Sequence, residues 1–413
     1  MLLRPYDARF KLHQRLESPV LNERASGSYL PFQEMESKQL MFDLLKDSDG
    51  HGTAGINCHG HMERTTANII YSLFYGHRVR TAQDPILLEA HAVNHEFDQL
   101  VQVGKYLVDS FPMLNKLPRF LTPWKAEAAA HWKKQRALHL GNLQRGLDGE
   151  GWNFAKQMQR AVDAEGIEMP AVELALDIGI MADAALDATT ETIMWFVVAC
   201  VAADGNGWVG KAQAELDAVV GRARLPAFAD GPALPYISAV VEELLRWRPA
   251  GAAGVPHFTR VETAYEGLRI PANSVVIANH WAITREQEVF GPTDVEKFTP
   301  ERFLDGRELP TVGFGYGRRI CPGRHVARNS VWITIARLLW AFDIKPALSE
   351  KGEPVLPDAK KCTDGLVSKP LPFKAQFEPR GDWARDIIVN ECNTYYVDHA
   401  AMLDRIGSNM TAQ

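Results

Sequence analysis

The sequence predicts a mainly α-helical fold with a small β region, and three observations support this. Over the first 248 residues, apolar side chains recur at helical spacing between clusters of glycine, proline and aspartate. After Pro249 the apolar residues fall in short runs bounded by turn residues, as in short strands. No internal repeat, low-complexity linker or shift in composition marks a boundary. Residues 1–413 are therefore expected to form a single domain, with an extended tail from about residue 381.

Each predicted element has a local reason. A period of 3.6 residues predicts helices over residues 37–45, 62–75, 85–110, 124–147 and 152–165. Pro170 suits a helix start, because its missing N–H would be unpaired in the first turn, and a long apolar helix is predicted from there to Ala203. Residues 204–207 end that helix, and two more are expected at residues 209–220 and 236–247. Short strands are predicted at residues 256–260, 263–265 and 274–278, then a helix at residues 326–342, further short strands and a polar tail.

Composition excludes several classes of protein. The net charge of −6 and the pI near 6.1 argue against a nucleic-acid-binding protein, which would normally carry a basic excess. Five cysteines, odd in number and irregularly spaced, argue against a disulfide framework and suit a reducing, cytosol-facing environment. The first residues resemble neither a signal peptide nor a membrane span, and the longest apolar run, residues 193–203, is too short to cross a bilayer. We therefore expect no membrane anchor in this chain.

The most informative segment is Phe314-Gly-Tyr-Gly-Arg-Arg-Ile-Cys321-Pro-Gly323, a glycine-bounded loop just before the last predicted helix. A thiolate needs positive charge and backbone N–H donors nearby to stay ionised and to bind a metal. Two arginines supply the charge, and the glycines allow the tight backbone path that turns N–H groups toward the sulfur. Cys321 is therefore a candidate metal ligand, and the alternative is a buried structural cysteine.

Every fixed position of the pattern Phe-x-x-Gly-x-Arg-x-Cys-x-Gly is filled here, and in this the chain resembles the cytochrome P-450 family. The resemblance implies the cytochrome P-450 fold and haem b as cofactor. It also implies that Cys321 is the axial ligand of the haem iron, with Phe314, Gly315 and Gly323 beside the haem.

The resemblance runs from about Pro5 to Arg380 and is closest to filamentous-fungal enzymes of secondary metabolism. Relative to that group, the chain begins at an early helix, without the N-terminal anchor and the first β strands. A truncated natural variant and an incomplete gene model would both have this pattern.

Two further segments match the family's structural ion network. Glu243 and Arg246 lie three residues apart on one helical face, close enough to pair, and Arg302 follows in Phe-Thr-Pro-Glu-Arg-Phe. Such pairs are also common on solvated helices. The resemblance assigns Glu243, Arg246 and Arg302 to a buried network that is structural and not catalytic.

The resemblance also indicates which residues bind the haem propionates. Arg319 holds the position of the family's propionate-binding arginine, and His257 falls where the family places another donor; the alternative for His257 is an ordinary histidine at a strand end. The family's early Trp-x-x-x-Arg is replaced by Phe10 and Gln14, for which Lys11, His13 or Arg15 are candidate substitutes.

The long helix departs from the family pattern (Ala/Gly)-Gly-x-(Asp/Glu)-Thr. Asp187 keeps the acid that relays protons during oxygen activation, but Ala185 replaces the glycine and Ala188 the threonine. Thr189 is one residue further on and so rotated by about 100°. Three consequences are compatible with this change: a local helical bulge re-aims Thr189, the substrate supplies the missing hydroxyl, or oxygen activation is impaired.

Two more clusters of polar residues have alternative interpretations. The first contains His51, Cys58, His59 and His61; its spacing matches no regular zinc pattern, and a flexible surface loop is expected. The second is basic and contains Arg318, Arg324, Arg328 and Arg337. It is interpreted either as a solvated face or as a contact for an acidic flavoprotein electron donor.

The resemblance implies a haem-thiolate monooxygenase that inserts one oxygen atom of O₂ into a small, mostly apolar organic substrate. Asp187 and Thr189 are the candidate catalytic residues. Electrons are expected from NADPH through the flavoprotein NADPH-cytochrome P-450 reductase, as the family implies, and the family usually resides at the endoplasmic reticulum membrane. The alternatives are a haem-thiolate isomerase, dehydratase or peroxide-using enzyme, favoured by Ala188, and a catalytically impaired scaffold protein.

Overall fold

Helices dominate the computed structural model, which describes residues 4–102, 104–202, 207–291 and 294–411. The longer helices in these residues are α1 (Ala8–Leu21), α3 (Leu30–His51), α4 (His59–Tyr75), α5 (Pro85–Leu100), α7 (Pro123–Asp148), α8 (Phe154–Ala164), α9 (Ala171–Val201), α10 (Gly207–Val219), α11 (Pro235–Trp247), α14 (Arg324–Ala341), α15 (Asp382–Glu391) and α16 (His399–Thr411). The short ones are α2 (Glu23–Gly27), α6 (Leu107–Ser110), α12 (His280–Ile283) and α13 (Gln287–Phe290).

Seven short strands form three small antiparallel sheets in the described chain. The strands are β1 (His257–Phe258), β2 (Thr263–Tyr265), β3 (Leu268–Ile270), β4 (Val275–Val276), β5 (Phe342–Leu348), β6 (Pro354–Val355) and β7 (Ala375–Pro379). β1 pairs with β4 and β2 with β3, and β5 lies between β6 and β7. The register of β5 and β7 runs from Phe342 opposite Pro379 to Pro346 opposite Ala375. Nearly every residue of β1 to β4 is solvent-exposed, including Phe258, Tyr265 and Leu268.

The long helix α9 is the centre of the fold, because its two halves belong to different hydrophobic clusters. Its first half, with Leu174 and Leu186, packs with α1, α4, α7 and α8. Its second half, residues 193–201, packs with α3, α10, α11, α14 and the β5–β7 sheet. Among the described helices, α9 is the one long and apolar enough to cross a membrane, yet 78% of its most apolar stretch is buried inside the protein. It is therefore accounted for as a core helix.

The predicted elements are largely confirmed, with three corrections. The helix expected over residues 85–110 ends at Leu100, and Leu107–Ser110 is a separate turn of helix. Strand β3 was not expected. The polar tail contains α15 and α16, which bury Ile388 and Leu403 in the two hydrophobic clusters. Their apolar residues recur at helical spacing, but the many polar residues between them hid this period. Residues 203–206, where the end of the long helix was predicted, lie outside the described residues.

Candidate active site

The cysteine loop, residues 314–323, contains a 3-10 turn at Gly317–Arg319 and ends where α14 begins. The Cys321 backbone N–H donates to the Phe314 carbonyl at 2.8 Å, which closes the loop. Gly315 and Gly317 have φ angles of 71° and 56°, in the left-handed region that favours glycine. The loop thus uses its glycines for the tight path that the sequence predicted, and it leaves the Cys321 side chain partly exposed.

Burial and local donors act in opposite directions on the Cys321 thiol. Burial raises the pKa of Cys321, while a hydrogen bond from the Gly323 backbone N–H and the charge of Arg324 lower it. The Arg324 guanidinium also donates to the Cys321 carbonyl at 3.2 Å. Helix α14 begins at Arg324, so its N-terminal end adds a positive partial charge near the sulfur. Burial outweighs the lowering contributions, so the pKa of Cys321 is raised overall, and the donor and the charge beside the sulfur offset only part of the cost of ionising it.

Arg319 is held against the first helix. Its Nη2 donates to the Arg4 carbonyl at 2.6 Å, and its guanidinium carbon lies 3.8 Å from the centre of the Phe10 ring. Burial lowers the pKa of Arg319. The structure therefore brings together the loop arginine and the residue that replaces the family's early tryptophan, two positions 309 residues apart in the sequence.

The structure separates the three candidate substitutes for the early arginine. His13 is buried between two carboxylates, with its Nε2 2.9 Å from Glu173 and its Nδ1 2.7 Å from Asp177. Arg15 pairs with Glu165 at 2.7 Å. Lys11 is exposed, with its ammonium 5.4 Å from the Tyr6 ring centre. His13 and Arg15 are thus engaged elsewhere.

His257 lies on β1, opposite Val276 and exposed to solvent. Its assignment as a propionate donor stays a prediction.

The residues expected on the oxygen side lie in regular helix. Asp187 is partly buried, and its Oδ2 is 3.2 Å from the Lys369 ammonium. Thr189 is buried, and the Thr192 hydroxyl donates to the Ala188 carbonyl at 2.7 Å. Since α9 is α-helical throughout this stretch, the bulge that would re-aim Thr189 is not formed. The two other expectations, a hydroxyl supplied by the substrate and impaired oxygen activation, stay predictions.

The ion network is assembled in the core. Glu243 accepts two hydrogen bonds from Arg246, at 2.6 and 2.7 Å, and its carboxylate lies 3.1 Å from Arg302. All three side chains are at most 2% exposed. Arg246 also donates to the carbonyls of Thr284 and Val295, so the network ties α11 to the chain before the cysteine loop.

The histidine-rich cluster and the basic cluster both need correction. The expected flexible loop around Cys58 is instead built into the fold: Cys58 is fully buried, and Ile56 forms a β-bridge with Ala375. The residues that the structure describes contain no group of three or more His, Cys, Asp or Glu side chains that could hold a metal. In the basic cluster, Arg337 is buried and donates to the Pro226 carbonyl, so it is not part of a surface.

Reasoning from sequence missed Lys369 and Arg4. Lys369 lies 182 residues from its partner Asp187, in a turn-rich segment without a motif, so no sequence signal pointed to it. Arg4 acts through its backbone carbonyl, which carries no side-chain signature.

The residues of the cysteine loop fit a haem. They provide one partly exposed thiol with an N–H donor and a cation beside it, one arginine for an anionic group, and an aromatic side chain, Phe314. A Cβ added at Gly323 would meet no atom within 4 Å, so the loop backbone is not covered at this position.

Comparisons with known proteins show the family of this chain. The family model described as Cytochrome P450 matches residues 1–377. The cytochrome P450 monooxygenase drtD of Aspergillus calidoustus is 36% identical over 99% of this chain and 76% of its own length. The cytochrome P450 monooxygenases aneD of Aspergillus aculeatus and peniB of Penicillium patulum are 38% and 36% identical, covering 92% and 97% of this chain and 71% and 73% of their own lengths.

A solved structure supports the fold. A zebra fish cytochrome P450 with progesterone superposes with a TM-score of 0.73 at 23% identity, covering 92% of this chain and 84% of that chain. This likeness confirms the predicted fold, and the family match confirms the resemblance based on the cysteine loop. The chain therefore belongs to the cytochrome P450 family, whose members are haem-containing monooxygenases.

Proposed function

We propose that the chain is a haem-thiolate monooxygenase that inserts one oxygen atom of O₂ into a small, mostly apolar organic substrate in fungal secondary metabolism. The observation that carries the proposal is the Cys321 loop, with its left-handed glycines, its N–H donor to the sulfur and its arginine against α1. The fungal relatives support the reaction class.

The residues of this chain have distinct parts in holding the haem. Cys321 would bind the haem iron through its sulfur, and Arg319 and His257 would bind the propionates. Phe314, Gly315 and Gly323 would also help to hold the haem. When bound, the haem supplies the activation of O₂ and the transfer of an oxygen atom to carbon.

Two residues of α9 would handle protons, Asp187 and Thr189, which lie about 200° apart around the helix. Asp187 would pass a proton toward the site through its carboxylate, because it is in contact with a partly solvent-exposed cation and is itself only 16% exposed. Thr189 is the nearest hydroxyl in sequence, at a position one residue from that of the family's threonine, and it would act together with a hydroxyl from the substrate.

Electron delivery would occur on the cysteine side of the molecule. Arg318 and Arg328 are exposed near the loop, and Arg324 is partly exposed. These cations would attract the acidic flavoprotein NADPH-cytochrome P-450 reductase, which carries electrons from NADPH. The site would then face the cytosol, where free thiols persist.

The first experiment is the CO-difference spectrum of the reduced protein. We expect a Soret band shifted in the way typical of thiolate ligation, lost in Cys321→Ala and retained in Cys362→Ala, which removes an exposed cysteine. Folded protein that takes up no haem would contradict the proposal.

The second experiment follows the oxygen atom. With NADPH, reductase and ¹⁸O₂, the product should carry one labelled oxygen. The alternative is a haem-thiolate isomerase, dehydratase or peroxide-using enzyme, favoured by Ala188 in a regular helix. It predicts an unlabelled product, or turnover with peroxide in place of NADPH and reductase.

A further inference from the structure

We infer that Lys369 is a positioning residue that holds the Asp187 carboxylate and thereby sets how protons reach the site. The inference rests on the proposed function, because it concerns the acid assigned there to proton transfer. The observation that carries it is the ion pair between the two side chains, with 3.2 Å between the Lys369 ammonium and Asp187 Oδ2. The pair joins two segments that are far apart in sequence.

The backbone around Lys369 is fixed by hydrogen bonds. Residues 362–370 form a narrow loop, in which Cys362 bridges to Pro370 and the Thr363 N–H donates to the Lys369 carbonyl. Next to Lys369, the Ser368 N–H donates to the Ala250 carbonyl at 2.8 Å. The Ser368 carbonyl accepts from the indole N–H of Trp195, on α9 itself, at 2.8 Å. The loop is thus docked on the same helix that carries Asp187, eight residues away.

The charges of three carboxylates act on the Lys369 ammonium. Burial lowers the pKa of Lys369, but the charges of Asp187, Glu191 and Asp98 outweigh it and raise that pKa. Asp98 lies on α5, and Glu191 lies one helical turn beyond Asp187. The ammonium therefore stays charged at neutral pH and remains near α9.

Glu191 pairs with His59, whereas Lys369 pairs with Asp187. The buried Glu191 carboxylate lies 3.0 Å from His59 Nε2, and this contact raises the pKa of His59. Since His59 engages Glu191, the direct contact of Lys369 is with Asp187.

The Lys369 side chain contacts both a largely buried acid and the solvent. Its side chain is 30% exposed, so the ammonium exchanges protons with solvent while it touches an acid that is 16% exposed. An acid held by one cation keeps one orientation, and orientation governs the efficiency of a proton relay. With alanine at position 188, the helix lacks the neighbouring hydroxyl that would otherwise share this task.

The test compares Lys369→Gln and Lys369→Arg in the haem-loaded enzyme with reductase and NADPH. We expect Lys369→Gln to lower the fraction of NADPH electrons recovered in product by roughly tenfold, with the remainder appearing as hydrogen peroxide, because positioned acid–base groups contribute on the order of 10²–10⁴-fold. The solvent deuterium isotope effect on kcat should increase, and KM should stay within about twofold. Lys369→Arg keeps the cation and should restore most of the coupling.

The matched control is Lys345→Gln, which removes a lysine–glutamate pair with Glu378 on the exposed face of the β5–β7 sheet. It should behave as wild type. A second readout is hydrogen exchange of residues 363–369 in the haem-loaded protein, which should become faster in Lys369→Gln while the exchange of α9 is unchanged.

The outcomes separate this inference from the proposed function. If the wild type shows no thiolate-type CO spectrum, the proposed function fails. If the wild type is an active monooxygenase and Lys369→Gln keeps its coupling and isotope effect, the inference about Lys369 is overturned even where hydrogen exchange becomes faster. Equal losses in the glutamine and arginine variants would also overturn it, because they would show a packing role rather than a role for the charge.

Discussion

At the scale of single residues, position 188 is where α9 departs from the family's pattern. Ala188 is followed by Thr189 in an unbroken helix, and the Ala188 carbonyl is bonded by the Thr192 hydroxyl. A hydroxyl at position 188 would point about 100° away from that of Thr189. The Thr189 hydroxyl therefore cannot point where a hydroxyl at position 188 would point unless the hydrogen bonds of the helix rearrange.

Restoring a hydroxyl at position 188 distinguishes impaired oxygen activation from a hydroxyl supplied by the substrate. If oxygen activation is impaired by its absence, Ala188→Thr should raise the fraction of NADPH electrons recovered in product several-fold. Ala188→Val has the same shape without the hydroxyl and should not. If the substrate supplies the hydroxyl, Ala188→Thr should leave coupling unchanged. The measurement is the ratio of product to NADPH consumed, with peroxide quantified in parallel.

At the scale of secondary-structure elements, α1 is attached to α9 by a row of charges. Arg9 and His13 on α1 contact Glu173, and His13 also contacts Asp177. Glu17, one turn further, is buried beside Asp177. Burial and then the charge of Asp177 raise the pKa of Glu17 to about 9. The interface therefore holds a protonated acid at neutral pH.

This acid makes stability depend on pH. In the unfolded chain the pKa of Glu17 is near 4.5, so between that value and about 9 the folded protein keeps a proton that the unfolded chain has lost. Stability must then fall as pH rises through this window, by at most about 1.4 kcal/mol per pH unit. Glu17→Gln should remove that slope and melt at a higher temperature than wild type at pH 8.5, with a smaller difference at pH 5.5. Parallel melting profiles for the two proteins would contradict this.

The network between α11 and the chain before the cysteine loop should be sensitive to loss of its acid. Glu243→Gln leaves the buried guanidinium groups of Arg246 and Arg302 without a counter-charge, which costs about 3–5 kcal/mol when a buried pair is broken. The control Glu262→Gln breaks an exposed pair with Arg269 and should cost under about 1 kcal/mol. Thermal melting followed by circular dichroism compares the two, and equal shifts would show that the network does not stabilise the core.

At the scale of the whole molecule, the sequence predicted best those features whose interacting residues are close together in the chain. The cysteine loop, Glu243 with Arg246, and the apolar helix α9 could be identified because their partners are close in sequence or their period is regular. The Lys369–Asp187 pair could not, because it depends on how a distant loop docks on α9. The burial of His13 likewise depends on α1 meeting α9, which no local pattern specifies.

We propose that the described chain unfolds as one domain, including its tail. Ile388 on α15 is fully buried in the same cluster as the second half of α9. Ile388→Ala should therefore cost about 2–5 kcal/mol and lower the melting temperature of the whole protein in a single transition. Val389→Ala, at a neighbouring exposed position, is the control and should have little effect. A separate early transition in Ile388→Ala would show instead that the tail folds independently.

In solution, the small sheets are where self-association should begin. The pairs β1–β4 and β2–β3 each have only two strands, and their outer backbone edges have no strand partner among the described residues. Phe258, Tyr265, Leu268 and Val275 are between 53% and 71% exposed on them. Exposed apolar side chains that lie close together favour association between copies. Light scattering of purified protein should therefore show a mass that rises with concentration, and Tyr265→Lys or Leu268→Lys should reduce that rise.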